Sequence, residues 1–257
     1  MHVSGDEKPY LEGDDLAPFK IPNSGRCWWC GAKADSREHK FKRTDLSRMW
    51  DKDDHLIWVG DRREVKVRSA RKSPVVKFAA NLCARCNNMR SQPFDTAYDL
   101  FSTYVWEHPE SLYRSSSLNM KLIYGKDWSV GALDLGRYVA KHIGCRMAAS
   151  GYAVPDAIIP FLEGVLPLSN IQMTLFKDPE RWKIYRDLKK DGIQGLGLWL
   201  PPAWGEVSRS RGQVVVYSSA LIVGYIGVMY RWSADTAETD LFYLHRRVSL
   251  PWYDQSD

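Results

Sequence analysis

Leu82-Cys83-Ala84-Arg85-Cys86-Asn87-Asn88-Met89-Arg90-Ser91 sets two cysteines two residues apart and follows them at once with two asparagines. Far upstream, Cys27-Trp28-Trp29-Cys30-Gly31 holds a second pair of the same spacing and reads as a tight knuckle. Two intervening residues let one turn deliver both sulfurs to a single ion. Two such turns complete a tetrahedral thiolate site of the structural zinc type, with Cys27, Cys30, Cys83 and Cys86 as ligands. Residues 31–82 make the gap 52 residues long, well beyond that of a compact zinc finger. A shared ion would therefore join distant segments and fix whatever lies between them. Cys145 stands alone on a predicted helix and reads as a small buried apolar residue.

Working outward, charge is concentrated in the same region. Residues 37–90 carry fifteen Lys/Arg against seven Asp/Glu, a net of +8, while the remaining twenty-one and twenty-four give −3. The basic stretch begins at Arg37, Lys40, Lys42 and Arg43 and continues through Arg62, Arg63, Lys66, Arg68, Arg71 and Lys72. A concentrated positive field suits a polyphosphate partner, because each neutralised phosphate releases counterions. A solvated basic face is the alternative for a charge run alone. Its position between the two cysteine pairs is what points to nucleic acid.

The rest of the chain bounds the class. At 257 residues, 44% hydrophobic and 26% charged, with a mean hydropathy of −0.40, it can bury a real core and is neither disordered nor fibrous. Residues 1–22 read as a polar N-terminal arm without the charged and apolar regions of a signal peptide. Five cysteines in such a chain suggest a reduced, cytoplasmic setting and metal binding rather than disulfides. The apolar run Val214–Trp232 is interrupted by Tyr217, Ser218, Ser219, Gly224 and Gly227, which fits two buried strands better than a membrane span.

Local patterns place the remaining elements. Leu56–Val59 and Val65–Arg68 read as strands around Gly60-Asp61-Arg62-Arg63. Phe94, Ala97, Tyr98, Phe101, Tyr104 and Val105 share one helical face, and Pro109 ends that helix. Asp134 is expected to cap a helix reaching about Met147, with Leu135, Val139 and Ile143 as its stripe. Pro155–Leu162 reads as a short helix interrupted by Pro160, Asp178-Pro179-Glu180 as a helix start and Gly192 as its stop. Gly195–Gly205 reads as loop, and the end from Val214 as strands. The aromatics Trp182, Trp199, Trp204 and Trp232 are expected in the core.

Within the segment that the ion would close lies Ser36-Arg37-Glu38-His39-Lys40. The order C-x-x-C, acid-His, C-x-x-C-Asn resembles the HNH endonucleases, also called ββα-metal or His-Me finger nucleases. It is similar in particular to the phage endonuclease VII type and to the CxxCNN form of bacterial and phage HNH proteins. The resemblance covers about residues 25–107. It implies a zinc-stapled ββα-metal nuclease domain (23–115), which with the polar arm (1–22) and the α+β C-terminal domain (116–257) read from the chain's own pattern makes an α+β fold.

The resemblance also implies roles. His39 corresponds to the general base that takes a proton from the attacking water. Glu38 and Asn87 correspond to the ligands of a catalytic Mg²⁺ or Mn²⁺, distinct from the structural Zn²⁺. The family's acid is most often Asp, so Glu38 is one methylene longer. Position 78, where many members carry Asn, is Phe, and Asn81 lies only two residues before Cys83. The chemistry is coherent: an imidazole with an ordinary pKa near 6.5 suits a base at neutral pH. Carboxylate and amide oxygens are hard ligands suited to Mg²⁺.

Lys40, Lys42, Arg43, Arg62, Arg63, Lys66, Arg68 and Arg90 are the expected contacts to a DNA backbone. Asn88, Arg90 and Asp95 are read as supporting or phosphate contacts, with helix capping open for Asn88 and Asp95. His55, His108, His142 and His245 are read as structural or surface residues. Phage defence or restriction enters by association with bacterial relatives alone. The alternative is a non-catalytic zinc module that binds nucleic acid, for instance a regulator. A third reading makes the basic module an adaptor for a C-terminal half that binds a protein partner or dimerises.

Overall fold

The computed structural model describes residues 11, 13–22, 24–49, 56–60, 63–67, 69, 72–165, 170–192, 197–235 and 240–253. Helices and strands are mixed in an α+β arrangement. The helices are α1 (Arg43–Arg48), α2 (Gln92–Glu107), α3 (Pro109–Arg114), α4 (Met120–Tyr124), α5 (Trp128–Ala149), α6 (Ile158–Leu162) and α7 (Pro179–Lys190). The strands are β1 (Leu56–Gly60), β2 (Arg63–Val67), β3 (Ser117–Asn119), β4 (Ile171–Lys177), β5 (Leu198–Trp199), β6 (Trp204–Ser208), β7 (Gln213–Val223), β8 (Ile226–Ser233) and β9 (Arg247–Ser249).

α5 is the organising element. From Leu135 to Met147 nearly every residue is buried, so that part of the helix is enclosed on all sides rather than amphipathic. It begins six residues before Asp134, the expected cap. That residue lies inside the helix and pairs with Arg137 at 2.9 Å. α2 packs along it through the expected face, with Phe94, Ala97, Tyr98, Phe101 and Val105 buried and Tyr104 half-buried. One hydrophobic cluster runs from Cys27 in the knuckle to Leu250 near the end, so the core is continuous across residue 115.

The larger sheet is antiparallel in the order β4-β8-β7, with β5 and β6 both pairing along the far edge of β7. β7 and β8 form a hairpin with Val223 opposite Ile226, the two buried strands expected from the apolar run. Among the described residues, no helix is long and apolar enough to cross a membrane. α7 starts as its sequence requires: the Asp178 side chain accepts from the Arg181 N–H at 3.0 Å, and Pro179 takes a position where no N–H is needed. Part of the expected 195–205 loop is strand, in β5 and the start of β6. Trp204 is exposed rather than core, while Trp182 is buried and Trp199 and Trp232 are half-buried.

Two antiparallel arrangements carry the site. β1 pairs β2 from Leu56 opposite Val67 to Gly60 opposite Arg63, as the hairpin reading expects. Residues 36–40 pair with 76–82 over irregular backbone. The Ser36 N–H donates to Leu82 O at 2.9 Å, Phe78 N–H to Glu38 O at 2.9 Å and Lys40 N–H to Val76 O at 2.8 Å. The chain then enters a π-helical turn, Arg85–Arg90, that runs into α2. The order along the chain is the bridged segment 36–40, then α1 and the β1–β2 hairpin, the bridged segment 76–82, and the helical turn into α2.

Candidate metal centre and its surroundings

The sulfurs of Cys27, Cys30, Cys83 and Cys86 all lie within 4.8 Å of one another. Cys30 Sγ and Cys83 Sγ are 3.6 Å apart, close to the separation expected along an edge of a tetrahedron with metal–sulfur bonds of about 2.3 Å. The four thiols can hold a metal ion such as zinc. Each pair is built by local hydrogen bonding. In the first, Cys27 N–H donates to Ala32 O at 2.6 Å and Gly31 N–H returns to Cys27 O at 2.8 Å, with Gly31 at φ 75°, where glycine is favoured. In the second, Cys86 N–H points at Cys83 Sγ at 3.4 Å and Asp35 Oδ1 accepts the Ala84 N–H at 2.8 Å. Asp35 thus caps the helical turn that carries Cys86 and Asn87.

Electrostatics at the sulfurs are uneven. Burial pushes the Cys27 and Cys86 thiols up. The Cys30 thiol, at the exposed rim, is lowered to about 7, chiefly by a hydrogen bond from the Ala32 backbone. A bound ion would deprotonate the buried thiols and release their protons. Cys145 lies apart from the four and is buried, as expected, with burial pushing its thiol up.

The knuckle is braced by the C-terminal half. The Trp28 ring lies against Gly144 of α5, where an added Cβ would come within 2.7 Å of it. Trp29 Nε1 donates to Glu163 Oε1 at 2.6 Å. Arg90 pairs with the same carboxylate and lays its guanidinium 4.6 Å over the Trp29 ring. Arg90, expected at a phosphate, is thus engaged in an internal ion pair.

Asn87 and Glu38 meet one network. Asn87 Nδ2 donates to Ser36 Oγ at 2.9 Å, joining the helical turn to the strand that carries Glu38 and His39. Asn87 Oδ1 is buried and, among the described residues, has no hydrogen-bond partner. Glu38, only 7% exposed, pairs with Lys141 Nζ at 3.1 Å. Lys141, 0% exposed, also reaches Asp95 Oδ1 and Ser91 Oγ, both at 3.2 Å. Lys42 closes on Asp95 at 2.8 Å. Burial, with Asp95 beside it, lifts the Glu38 carboxyl above its usual range against the pull of Lys141. Burial opposes the charge on Lys141, but Glu38 and Asp95 together outweigh it and keep the ammonium protonated.

The donor set that the resemblance names for a catalytic divalent ion therefore fits only in part. The Asn87 amide oxygen is a buried acceptor without a partner among the described residues. The Glu38 carboxylate is already balanced by an ammonium, in a pocket nearly closed to solvent. As arranged, Glu38 and Asn87 do not make an open Mg²⁺ or Mn²⁺ site.

His39 is half-buried and pairs through its backbone with Lys77. It directly follows Glu38 in the segment bridged to residues 76–82. Of the basic residues, Arg43 and Lys66 are exposed, and Lys40 lies 4.7 Å over the Trp58 ring. Arg63 ends the β1–β2 turn opposite Gly60, and Arg62, Arg68, Arg71 and His55 lie outside the described residues. Asp95 is an ion-pair partner of both lysines, and Asn88 is exposed. Phe78 packs its ring against the edge of His142, 5.2 Å away, where an Asn would be a poor substitute.

Residues that pattern reading passed over are Lys141, Ser91, Ser36, Asp35 and Glu163. Lys141 falls in line with Asp134 and Arg137 at helical spacing and so reads from the sequence as part of a polar face, and the other four carried no local signal either. No protein-family model, no curated protein and no solved structure matches the chain.

Proposed function

We propose that this chain is an HNH-type endonuclease that hydrolyses phosphodiester bonds in DNA, with a structural zinc on Cys27, Cys30, Cys83 and Cys86. The observation that carries this reading is the bond between Asn87 and Ser36. It seats the carboxamide that follows the second cysteine pair against the Glu38–His39 strand, across a gap that the four sulfurs bridge. A π-helical turn at Arg85–Arg90 supports it, since such turns occur often at functional sites.

In this reaction His39 takes a proton from water as its oxygen attacks phosphorus. The bond from phosphorus to the leaving sugar oxygen breaks, and that oxygen regains a proton from solvent. Asn87 Oδ1, an acceptor only, orients the water or whatever ligand enters beside it. Exposed Arg43 and Lys66, with Lys40 beside Trp58, neutralise the backbone on either side of the cut. Zinc held by the four sulfurs would supply structure, tying the Cys27–Cys30 knuckle to the Cys83–Cys86 turn. A divalent ion entering at Glu38 would meet the Lys141 ammonium, and the reaction as proposed has no step through it.

The test is nicking of supercoiled plasmid, single-stranded and branched DNA by the zinc-loaded protein with Mg²⁺ or Mn²⁺ present. Wild-type cleavage that disappears in a folded His39→Ala variant is expected. Cleavage that survives the substitution removes the mechanism. A non-catalytic zinc module that binds nucleic acid is the second reading, favoured by the ion-paired state of Glu38. Salt-dependent DNA binding without any cleavage would support it instead.

A further inference from the structure

We propose that Lys141 fills the cation position at Glu38, so that Glu38 is a positioning carboxylate for the His39 strand rather than an open ion ligand. The proposal rests on the nuclease reading for the role of His39, and it departs from the ion chemistry that the resemblance implies. Lys141 comes from the C-terminal half, outside the segment that the cysteines enclose.

The geometry is that of a built-in counter-ion. Lys141 Nζ touches Glu38 Oε1, Asp95 Oδ1 and Ser91 Oγ at 3.1–3.2 Å, and its side chain has no exposed surface. Three oxygens around one ammonium satisfy all three of its donors. Ser91 Oγ also donates to Asn87 O at 2.8 Å, so the same cluster reaches the residue that carries the unpartnered amide oxygen. Two carboxylates, Glu38 and Asp95, face two ammoniums, Lys141 and Lys42, and the charge is balanced without a metal.

A buried pair loses much more when one partner is removed than it contributes as a pair, because the survivor is left charged and unsolvated. The strand bearing Glu38 is therefore pinned to α5, and His39 is fixed one residue along. A divalent cation could occupy the carboxylate side only by displacing the ammonium, because like charges repel strongly at ion-pair distance. The C-terminal half then sets both the placement of His39 and the cation preference of the centre.

The experiment measures Mn²⁺ binding to the full-length, zinc-loaded protein by the electron paramagnetic resonance of free Mn²⁺, a readout independent of DNA cleavage. With Lys141 present, Glu38→Gln is expected to leave the Mn²⁺ affinity within about twofold of wild type. Lys141→Met is expected to raise it by about tenfold or more, and the gain should vanish in the Glu38→Gln/Lys141→Met double variant. Lys141→Arg, which keeps the charge, should not show the gain. A loss of about tenfold or more on Glu38→Gln alone would overturn the proposal, and that arm decides the matter if Lys141→Met does not fold. A folded Lys141→Met that binds Mn²⁺ no more tightly than wild type would overturn it as well. These affinities are read whether or not the protein cuts DNA, so failure here is distinct from failure of the nuclease reading.

Discussion

Replacing Cys86 with serine should remove most of the constraint that holds the two ends of the basic segment together. With an ion on the four sulfurs, the stretch from Cys30 to Cys83 becomes a closed loop of about 54 residues. In the chain-entropy treatment of a cross-link, closing a loop of that length stabilises the native state by about 4 kcal/mol. That is a large part of the ~5–15 kcal/mol that separates a typical folded domain from its unfolded chain. The direct energy of thiolate–metal bonding adds to it. Cys86 is fully buried, with Arg90 Nη1 3.7 Å from its sulfur, so serine removes a ligand from the closed side of the cluster.

The assay is chemical denaturation of the zinc-loaded protein, followed by circular dichroism, with metal content measured on the same samples. Cys86→Ser and the chelator-treated wild type should both lose about 4 kcal/mol or more, and the serine variant should retain no stoichiometric zinc. Cys145→Ala, the cysteine outside the cluster, should keep its zinc. An unchanged denaturation midpoint and zinc content in Cys86→Ser would refute the reasoning.

Other outcomes follow from particular contacts. Asp35→Ala removes the carboxylate that caps the Ala84 N–H, and thermal unfolding should register a loss of about 1 kcal/mol. Gly144→Ala drives a methyl against the Trp28 ring and should cost about 1–3 kcal/mol in denaturant unfolding, with weaker zinc retention in a chelator competition. His142 is held neutral, its pKa lowered to about 3 by burial and by Arg146, with Nε2 donating to Lys40 O at 3.1 Å. A depressed value contributes stability that is present above the ordinary 6.5 and is lost as pH falls toward the folded value. Stability should thus decline by up to roughly 1.4 kcal/mol per pH unit between pH 6 and 4 from this group, and His142→Gln should flatten that slope. A fragment of residues 1–115 lacks Lys141, Gly144 and Glu163, and should neither retain zinc nor cut DNA in the plasmid assay.

The cysteine cluster was legible because its signals are local. Cysteine spacing needs only one turn per pair, and it led to the cluster that the fold assembles. The α2 face and the α7 start were readable for the same reason: apolar spacing and a capping Asp-Pro act within a few residues. The pairing of 36–40 with 76–82 left no such trace. Its register is set by the intervening fold and by burial of Glu38, and Ser36-Arg37-Glu38-His39-Lys40 shows no apolar alternation. α5 misled for a related reason. Asp134 looks like a cap, yet the helix runs back to Trp128 through a first turn in which Ser129 and Val130 are exposed, and Asp134 pairs with Arg137. The partner of Glu38 lies 103 residues away on that helix, and only the folded chain brings it to the strand.

Zinc reconstitution with strand cleavage as the readout tests the central claim most directly. Protein stripped of metal and refilled stepwise should gain nicking activity in proportion to bound zinc and saturate at one zinc per chain, with Mg²⁺ or Mn²⁺ held constant. Undiminished cleavage by folded, zinc-free protein would contradict the claim that four sulfurs assemble the hydrolytic centre.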